Sequence, residues 1–213
     1  MTRFIIVRHG KTEAFKNGVL QKEEEPLNAT GINQAKKLGH RLKEEKFDVI
    51  LCSDALRAKQ TCEQIHEHHR CTSIEYLSCL RERSWGIFKG THFSESQKEV
   101  EKSRKNREDY RPEGGENFED VAKRAKQAWS KITKLCPPNS NVLIVSHGTF
   151  ISFLISAAQK IENKEHTLKI REKQIVPTTL NIIEVENDTA HLVCIGDTCH
   201  LKEREKNSGI LEK

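Results

Sequence analysis

Hydrophobic residues in this chain fall either into short continuous runs or into longer stretches in which they recur every three or four positions. Short continuous apolar runs are typical of strands that are buried on both faces of a sheet. The sequence predicts three strands of this kind, at residues 4–7, 48–52 and 141–146. Weaker runs give further strand candidates at residues 73–77, 180–186 and 191–196.

Helical spacing is found in two of the longer stretches. One apolar stripe lies between the first two predicted strands, after a turn of cap residues, and consists of Ile32, Ala35, Leu38 and Leu42. A second stripe ends before Pro137 and consists of Phe118, Val121, Ala122, Ala125, Trp129 and Ile132. The alternation of strands and helices predicts an α/β fold with a mainly parallel sheet flanked by helices.

The charge balance excludes several classes of protein. The 213 residues include 36 Lys and Arg and 31 Asp and Glu, a formal net charge of +5, and both signs are interspersed along most of the chain. This pattern indicates a solvated surface, so we expect no nucleic-acid partner. No apolar segment approaches the ~20 residues of a membrane helix, and no secretory signal is recognisable. Together with seven cysteines that form no C-x-x-C pair, this predicts a cytoplasmic protein without membrane contact.

No repeat or linker divides the chain, so we expect a single domain over residues 1–213. Residues 94–111 form a charged insertion, which is either a solvated helix or a lid whose basic residues meet an anionic substrate. Residues 202–213 are expected to be a frayed tail. The His- and Cys-rich stretch at 62–71 does not bring four ligands to one helix face, so we expect a solvated helix end there and no metal site.

Side chains that can take part in catalysis follow all three of the strongest strand candidates. Arg8 and His9 follow the first strand, Arg57 lies shortly after the second, and His147 follows the third. Ligands of parallel sheets bind at the carboxyl ends of the strands, so these side chains should meet. Two guanidinium groups and two imidazoles in a small volume favour a phosphate, because the planar arginine fork binds two of its oxygens at once.

His9 is the candidate nucleophile. Nearby cations favour its neutral form, and a hydrogen bond from one ring nitrogen to a backbone carbonyl would leave the other nitrogen free to attack phosphorus. Gly10 is expected to let the backbone bend so that the ring faces the phosphate. His147 would serve best protonated, as a donor to the phosphoryl oxygens. Glu82 is the candidate general acid and base, although a glutamate between two arginines is by itself typical of a surface ion pair.

Six segments in order resemble the histidine phosphatase superfamily over nearly the whole chain. They are VRHGKT, EPLNATGINQAKKLG, CSDALRAKQT, LRERSWGIFKG, PEGGENFEDVAKR and VLIVSHGTF. The resemblance implies a phosphoglycerate mutase-like three-layer sandwich that needs no metal or other cofactor. It implies His9 as the phosphorylated nucleophile, Glu82 as proton donor and acceptor, and a phosphate clamp of Arg8, Arg57 and His147. Substrate contacts are further expected from Thr12, Asn17, Gln21 and Gly148.

Within the superfamily the chain most resembles fructose-2,6-bisphosphatases of the TIGAR type, which implies a small phosphorylated substrate such as fructose 2,6-bisphosphate or a related sugar bisphosphate. Ser84 and Trp85 stand where phosphoglycerate mutases usually have histidine and tyrosine, which favours hydrolysis over phosphoryl transfer. Mutase activity stays open as an alternative. So does a low-activity protein that binds phosphorylated ligands, since Lys11 and Phe15 depart from the usual pocket motif. The oligomeric state is not predicted.

Overall fold

The computed structural model describes residues 1–202, and these residues contain one six-stranded sheet. Its strands are β1 (Thr2–Arg8), β2 (Val49–Cys52), β3 (Ile74–Tyr76), β4 (Asn141–Ser146), β5 (Leu180–Glu186) and β6 (Thr189–Asp197). The strand order is β3-β2-β4-β1-β5-β6. The first four strands of that order are parallel, whereas β5 and β6 are antiparallel to their neighbours. The prediction of a mainly parallel sheet is therefore confirmed.

Helices cover both faces of the sheet. They are α1 (Glu13–Lys16), α2 (Ala29–Leu42), α3 (Leu56–His66), α4 (Phe93–Lys102), α5 (Phe118–Leu135), α6 (Gly148–Ala158) and α7 (Lys164–Glu172). One apolar core lies between the sheet and α2 and α3, and the other packs α5, α6 and α7 against the opposite face. The α/β three-layer prediction is confirmed. Within residues 1–202 no helix is long and apolar enough to cross a membrane.

The burial of the strands follows the hydrophobic pattern that predicted them. From their second or third residue onward, β1, β2 and β4 are buried at every position, because they occupy the centre of the sheet between two helical layers. The edge strand β3 is largely exposed. The apolar stripe of α2 is also buried, except that Ile32 is exposed.

Two helices have no recognisable stripe in the sequence. The α6 segment is apolar on nearly all sides because nine of its eleven residues are buried. The α7 segment is highly polar and buries only Thr167 and Ile170. In the charged insertion, α4 is followed by irregular chain up to Asn117, the N-cap of α5. Apart from Lys202, the predicted tail lies outside the described residues.

The loop after β1 is set by a close approach of two glycines. Gly10 does not adopt a positive φ angle, so its role in the loop does not come from a backbone conformation reserved for glycine. A Cβ atom on Gly10 would instead lie 2.5 Å from the carbonyl oxygen of Gly31 in the first turn of α2. A Cβ atom on Gly31 would overlap the carbonyl oxygen of Lys11 and lie 2.7 Å from the backbone nitrogen of Lys11. The absence of both side chains lets α2 pack directly against the loop that carries His9.

We predict that Gly31→Ala lowers the free energy of unfolding by about 1–3 kcal/mol, the usual cost of overpacking. Helix propensity alone would favour alanine over glycine by ~1 kcal/mol. A decrease in the free energy of unfolding therefore indicates overpacking, and an increase indicates that helix propensity dominates. Chemical denaturation measures this free energy, with Asn33→Ala at an exposed position of the same helix as the control. An alanine variant at position 31 as stable as the unmodified protein would contradict the packing argument.

Candidate active site

The sheet topology brings the predicted residues of three strand ends together. Strand β4 lies between β1 and β2 and is parallel to both, with Arg8 opposite Ser146 and Cys52 opposite Val145. The carboxyl ends of all three strands therefore lie at one edge of the sheet. His9 continues β1, and its backbone N–H donates to the Ser146 carbonyl at 3.0 Å.

A cavity of about 240 Å³ opens at this edge. Its wall contains five of the predicted site residues, which are Arg8, Gln21, Arg57, Glu82 and Gly148. Residues from the charged insertion and from α7 also reach it, so parts of the chain that are far apart in sequence form one pocket. The other four predicted residues, His9, Thr12, Asn17 and His147, are not among the residues that line the cavity.

The ring of His9 has the orientation that the nucleophile role requires. Its Nδ1 atom lies 2.7 Å from the Gly10 carbonyl oxygen, which makes Nδ1 the protonated nitrogen. His9 is only 2% exposed. Its Nε2 atom has no hydrogen-bond partner among residues 1–202 and is not fully enclosed by the protein. Burial lowers the pKa of His9 well below 6.5, and Arg57 and Arg8 lower it further, so the ring is neutral at neutral pH.

His147 lies beside His9, with 5.0 Å between the ring centroids. It is the N-cap of α6, and its Nε2 atom lies 2.8 Å from the Ser53 hydroxyl. Burial, followed by the charge of Arg57, lowers the pKa of His147 well below 6.5. The ligand-free site therefore does not hold the protonated His147 that we expected. The main reason is burial, and the charges of the two neighbouring guanidinium groups add to it.

Arg8 and Arg57 are buried with part of their hydrogen-bonding capacity unused. Arg8 donates through Nη1 to the carbonyl oxygens of Gln174, at 2.6 Å, and Ile175, and Arg57 donates to the Lys22 carbonyl at 2.6 Å. In both side chains the Nε atom is enclosed and has no hydrogen-bond partner within residues 1–202. Burial lowers the pKa of each guanidinium to about 10, and the charge of Glu82 opposes that shift in both.

These two Nε atoms and Nδ1 of His147 are enclosed polar atoms without a partner at one edge of the sheet. Buried polar groups are rarely left unpaired unless a ligand or water completes them. Two of the three belong to positively charged groups, which favours an anion as the ligand of this edge.

Glu82 lies in the cavity wall and is held by backbone N–H groups. Its carboxylate accepts hydrogen bonds from the backbone N–H groups of Thr149 and Phe150, both at 3.0 Å, at the start of α6, and from Arg83 N at 2.9 Å. It forms no ion pair with either neighbouring arginine. Arg81 instead pairs with Asp54 through two contacts of 2.6 Å. The surface-pair interpretation of Glu82 is therefore wrong.

The remaining substrate-contact predictions differ in outcome. Gln21 and Gly148 line the cavity, whereas Thr12 is buried and caps α1 by accepting from Phe15 N at 3.1 Å. Asn17 is exposed, ends α1 and does not line the cavity, so its expected substrate contact is not found. Phe15 lies in the cavity wall instead, with its ring centroid 5.0 Å from the Arg8 guanidinium carbon.

Several residues of the cavity wall were not identified from the sequence. Trp85 lines the cavity together with Arg83, Arg107 and Arg171. Arg107 lies in the 94–111 insertion, for which basic residues facing a substrate were one of the two alternatives, whereas Arg171 stands in a charged stretch that resembles any solvated surface, so only the fold distinguishes it. In the His- and Cys-rich stretch, His66 contacts the Thr72 carbonyl at 2.8 Å and His69 packs on Phe47. No three potential ligands come together as a metal site in the described part of the chain.

Comparison with known proteins agrees with this geometry. The family model of the histidine phosphatase superfamily (branch 1) matches residues 4–198. The chain belongs to this superfamily. It is 34% identical over 142 residues to the fructose-2,6-bisphosphatase TIGAR of Bos taurus, a match that covers 63% of this chain and 53% of that protein. It is 30% identical over 211 residues to the metal-independent phosphoserine phosphatase of Arabidopsis thaliana, covering 92% and 85% of the two chains.

The fold is also that of solved members of the superfamily. The structure of YhfR from Bacillus stearothermophilus superimposes with a TM-score of 0.83 at 28% identity, covering 95% of this chain and all of the other. Membership of the superfamily, which six sequence segments predicted, is thereby confirmed. The relatives named above are phosphatases, which agrees with the predicted enzyme class.

The lowered pKa values predict how stability depends on pH. Below about pH 6.5 the unfolded chain protonates His9 and His147 while the folded protein does not, so the free energy of unfolding falls as the pH falls. Each of the two histidines contributes at most about 1.4 kcal/mol per pH unit to the slope of the free energy of unfolding against pH. In urea denaturation between pH 7 and 5, His9→Gln combined with His147→Gln should flatten this dependence.

The exposed His68→Gln serves as the control and should leave the slope unchanged. A residual slope is expected in the double variant, because burial also lowers the pKa values of His69 and His200. An unaltered slope in the double variant would show that the two active-site rings titrate normally.

Proposed function

We propose that this protein hydrolyses phosphate monoesters of small metabolites through a phosphohistidine at His9, without a metal ion. The observation that carries the proposal is the set of enclosed, unpartnered donors on Arg8, Arg57 and His147 next to the free Nε2 atom of His9. A phosphoryl group fits such donors because each arginine can bind two of its oxygens. Its phosphorus would then face the unprotonated ring nitrogen.

The reaction has two halves. In the first, Nε2 of His9 attacks phosphorus, the bond from phosphorus to the ester oxygen breaks, and protonated Glu82 gives its proton to that oxygen. In the second, the Glu82 carboxylate takes a proton from a water molecule whose oxygen attacks phosphorus. The phosphorus–nitrogen bond breaks, inorganic phosphate leaves, and His9 and protonated Glu82 are restored.

Fructose 2,6-bisphosphate, or a related sugar bisphosphate, is our first choice of substrate. The similarity to TIGAR supports it, although that match covers only part of both chains. The similarity to a phosphoserine phosphatase supports testing phosphate esters that carry a carboxylate as substrates as well. Product analysis with 3-phosphoglycerate separates hydrolysis, which releases phosphate, from the mutase alternative, which yields an isomer.

We predict that His9→Ala reduces phosphate release from p-nitrophenyl phosphate in EDTA by at least ~10³-fold, the usual scale for loss of a nucleophile. Steady-state assays measure this loss, and the exposed His68→Ala should retain full activity. Brief incubation of the unmodified protein with labelled substrate should give an acid-labile, base-stable phosphoenzyme that His9→Ala lacks. Release that is unchanged in His9→Ala would refute the proposal.

We predict that Glu82→Gln slows phosphorylation of His9 most for esters with basic leaving groups. An alkyl phosphate needs a proton on its departing oxygen, so its first turnover should slow by about 10²–10⁴-fold. p-Nitrophenolate leaves readily without a proton, so its burst phase should change far less. Rapid-quench measurements compare the two esters, and equal losses would mean that Glu82 only shapes the pocket.

A further inference from the structure

A buried amide pair adjoins the phosphate clamp and has no part in the mechanism proposed above. It consists of Gln174, in the loop between α7 and β5, and Asn181, the second residue of β5. Asn181 is fully buried, and Gln174 is 1% exposed. Asparagine and glutamine are mostly exposed in proteins, and they are buried to this extent only where their hydrogen bonds are satisfied.

The side chain of Asn181 uses its full hydrogen-bonding capacity. Its Nδ2 atom donates to the backbone carbonyl oxygen of Ile6 and to Oε1 of Gln174, both at 3.1 Å. Its Oδ1 atom accepts from Nε2 of Gln174 at 2.6 Å and from the backbone nitrogen of Gly196 at 3.1 Å. A carbonyl can only accept and a backbone N–H can only donate, so these two contacts fix the orientation of the amide. The amide pair is thereby anchored to both β1 and β6.

Gln174 connects this anchor to the phosphate clamp. Its side chain binds Asn181, while its backbone carbonyl oxygen accepts from Nη1 of Arg8 at 2.6 Å. The carbonyl oxygen of Ile175 accepts from the same Nη1 atom. The start of α6 also comes close, because a Cβ atom on Gly148 would lie 3.1 Å from the Gln174 carbonyl oxygen and 3.3 Å from Nε of Arg8. The guanidinium is therefore confined by the loop before β5 and by the first residue of α6.

The engagement of Nη1 decides which edge of the Arg8 guanidinium is free. Nη1 carries two N–H groups, and the two carbonyl oxygens of the loop accept both of them. Neither Nε nor Nη2 of Arg8 has a hydrogen-bond partner among residues 1–202. These two atoms form an edge that presents two parallel N–H groups, the geometry in which arginine binds two oxygens of a phosphate. Since Arg8 lines the cavity, this edge is available to a ligand.

We propose that Asn181 is a positioning residue of the phosphate clamp, which acts through Gln174 to hold Arg8 with its Nε and Nη2 atoms toward the phosphoryl group. This inference rests on the proposed function, in which Arg8 binds that group. A purely structural role would be limited to joining β1, β5 and β6. Loss of the amide pair would then lower the free energy of unfolding but would leave the phosphate affinity of the folded protein unchanged.

Two variants remove the amide pair in different ways. Gln174→Met keeps the length of the side chain and the backbone carbonyls that bind Arg8, and it leaves the bonds of Asn181 to β1 and β6 in place. Asn181→Leu removes all four hydrogen bonds at similar volume, and the Gln174 variant keeps the test valid if this one does not fold. Thr167→Val is the matched control, because Thr167 is 5% exposed in α7 and does not line the active-site cavity. Its hydroxyl forms a buried hydrogen bond of 2.8 Å with Ser156.

Calorimetry with inorganic phosphate measures the clamp without turnover. The Kd should rise by about 10-fold in Gln174→Met and Asn181→Leu, the lower end of the scale for one charged hydrogen bond, and should stay unchanged in Thr167→Val. Unchanged phosphate affinity in folded Gln174→Met protein would overturn the proposal. If the unmodified protein binds phosphate but forms no phosphoenzyme, the proposed function fails while the positioning role stands. If it binds no phosphate, both are refuted.

A double-mutant cycle shows whether the effect passes through Arg8. For p-nitrophenyl phosphate, Gln174→Met should lower kcat/KM by about 10-fold when Arg8 is present and should have almost no effect in Arg8→Ala protein. A general loss of stability would give the same factor in both backgrounds. That result would limit Asn181 to a structural role and refute the positioning assignment.

Discussion

The structure depends on buried positive charge gathered at the carboxyl ends of β1, β2 and β4. Arg8 and Arg57 are nearly excluded from solvent, and this burial lowers their pKa values to about 10, while backbone carbonyl oxygens accept their hydrogen bonds. Unpaired charge at such depth is costly. The charge of Glu82 offsets part of this cost in both arginines. In the proposed function a bound phosphoryl group would offset more of it, so the interaction that weakens the protein alone would strengthen its ligand complex.

Among the described residues, Glu82 is the carboxylate whose charge raises the pKa values of both Arg8 and Arg57. Hydrogen bonds hold it in place. Glu82 lies on the first backbone N–H groups of α6, where the helix dipole favours negative charge. Arg124 fixes the backbone around it by donating to the carbonyl oxygens of Cys79, Arg81 and Glu82, while Glu116 pairs with Arg124 at 2.8 Å. Glu116 therefore serves the acid/base loop from outside the cavity. The geometry of the Glu82 carboxylate is thus set by a helix start and a partly buried ion pair.

The parts of this protein that could be predicted from sequence are those where a local pattern decides the structure. The runs that form β1, β2 and β4 are continuous because both faces are buried, and their ends placed His9, Arg57 and His147 correctly at one edge. Contacts between distant segments leave no such pattern. The approach of Gly10 to Gly31 and the position of Arg171 depend on packing of complete elements, and Asn17 was misplaced because the short α1 ends before it.

The neutral state of His147 changes how the phosphate clamp is understood. Its ring is 5.0 Å from His9, and burial together with the charges of Arg57 and Arg8 opposes its protonation. In the proposed reaction, a phosphoryl dianion between the two arginines would neutralise their charge and so raise the pKa of His147. Since the Nε2 atom of His147 is engaged with Ser53, the nitrogen left to donate to that anion is Nδ1, which is enclosed and has no partner among residues 1–202. In this proposal the substrate's own charge generates the donor that stabilises the transferred group.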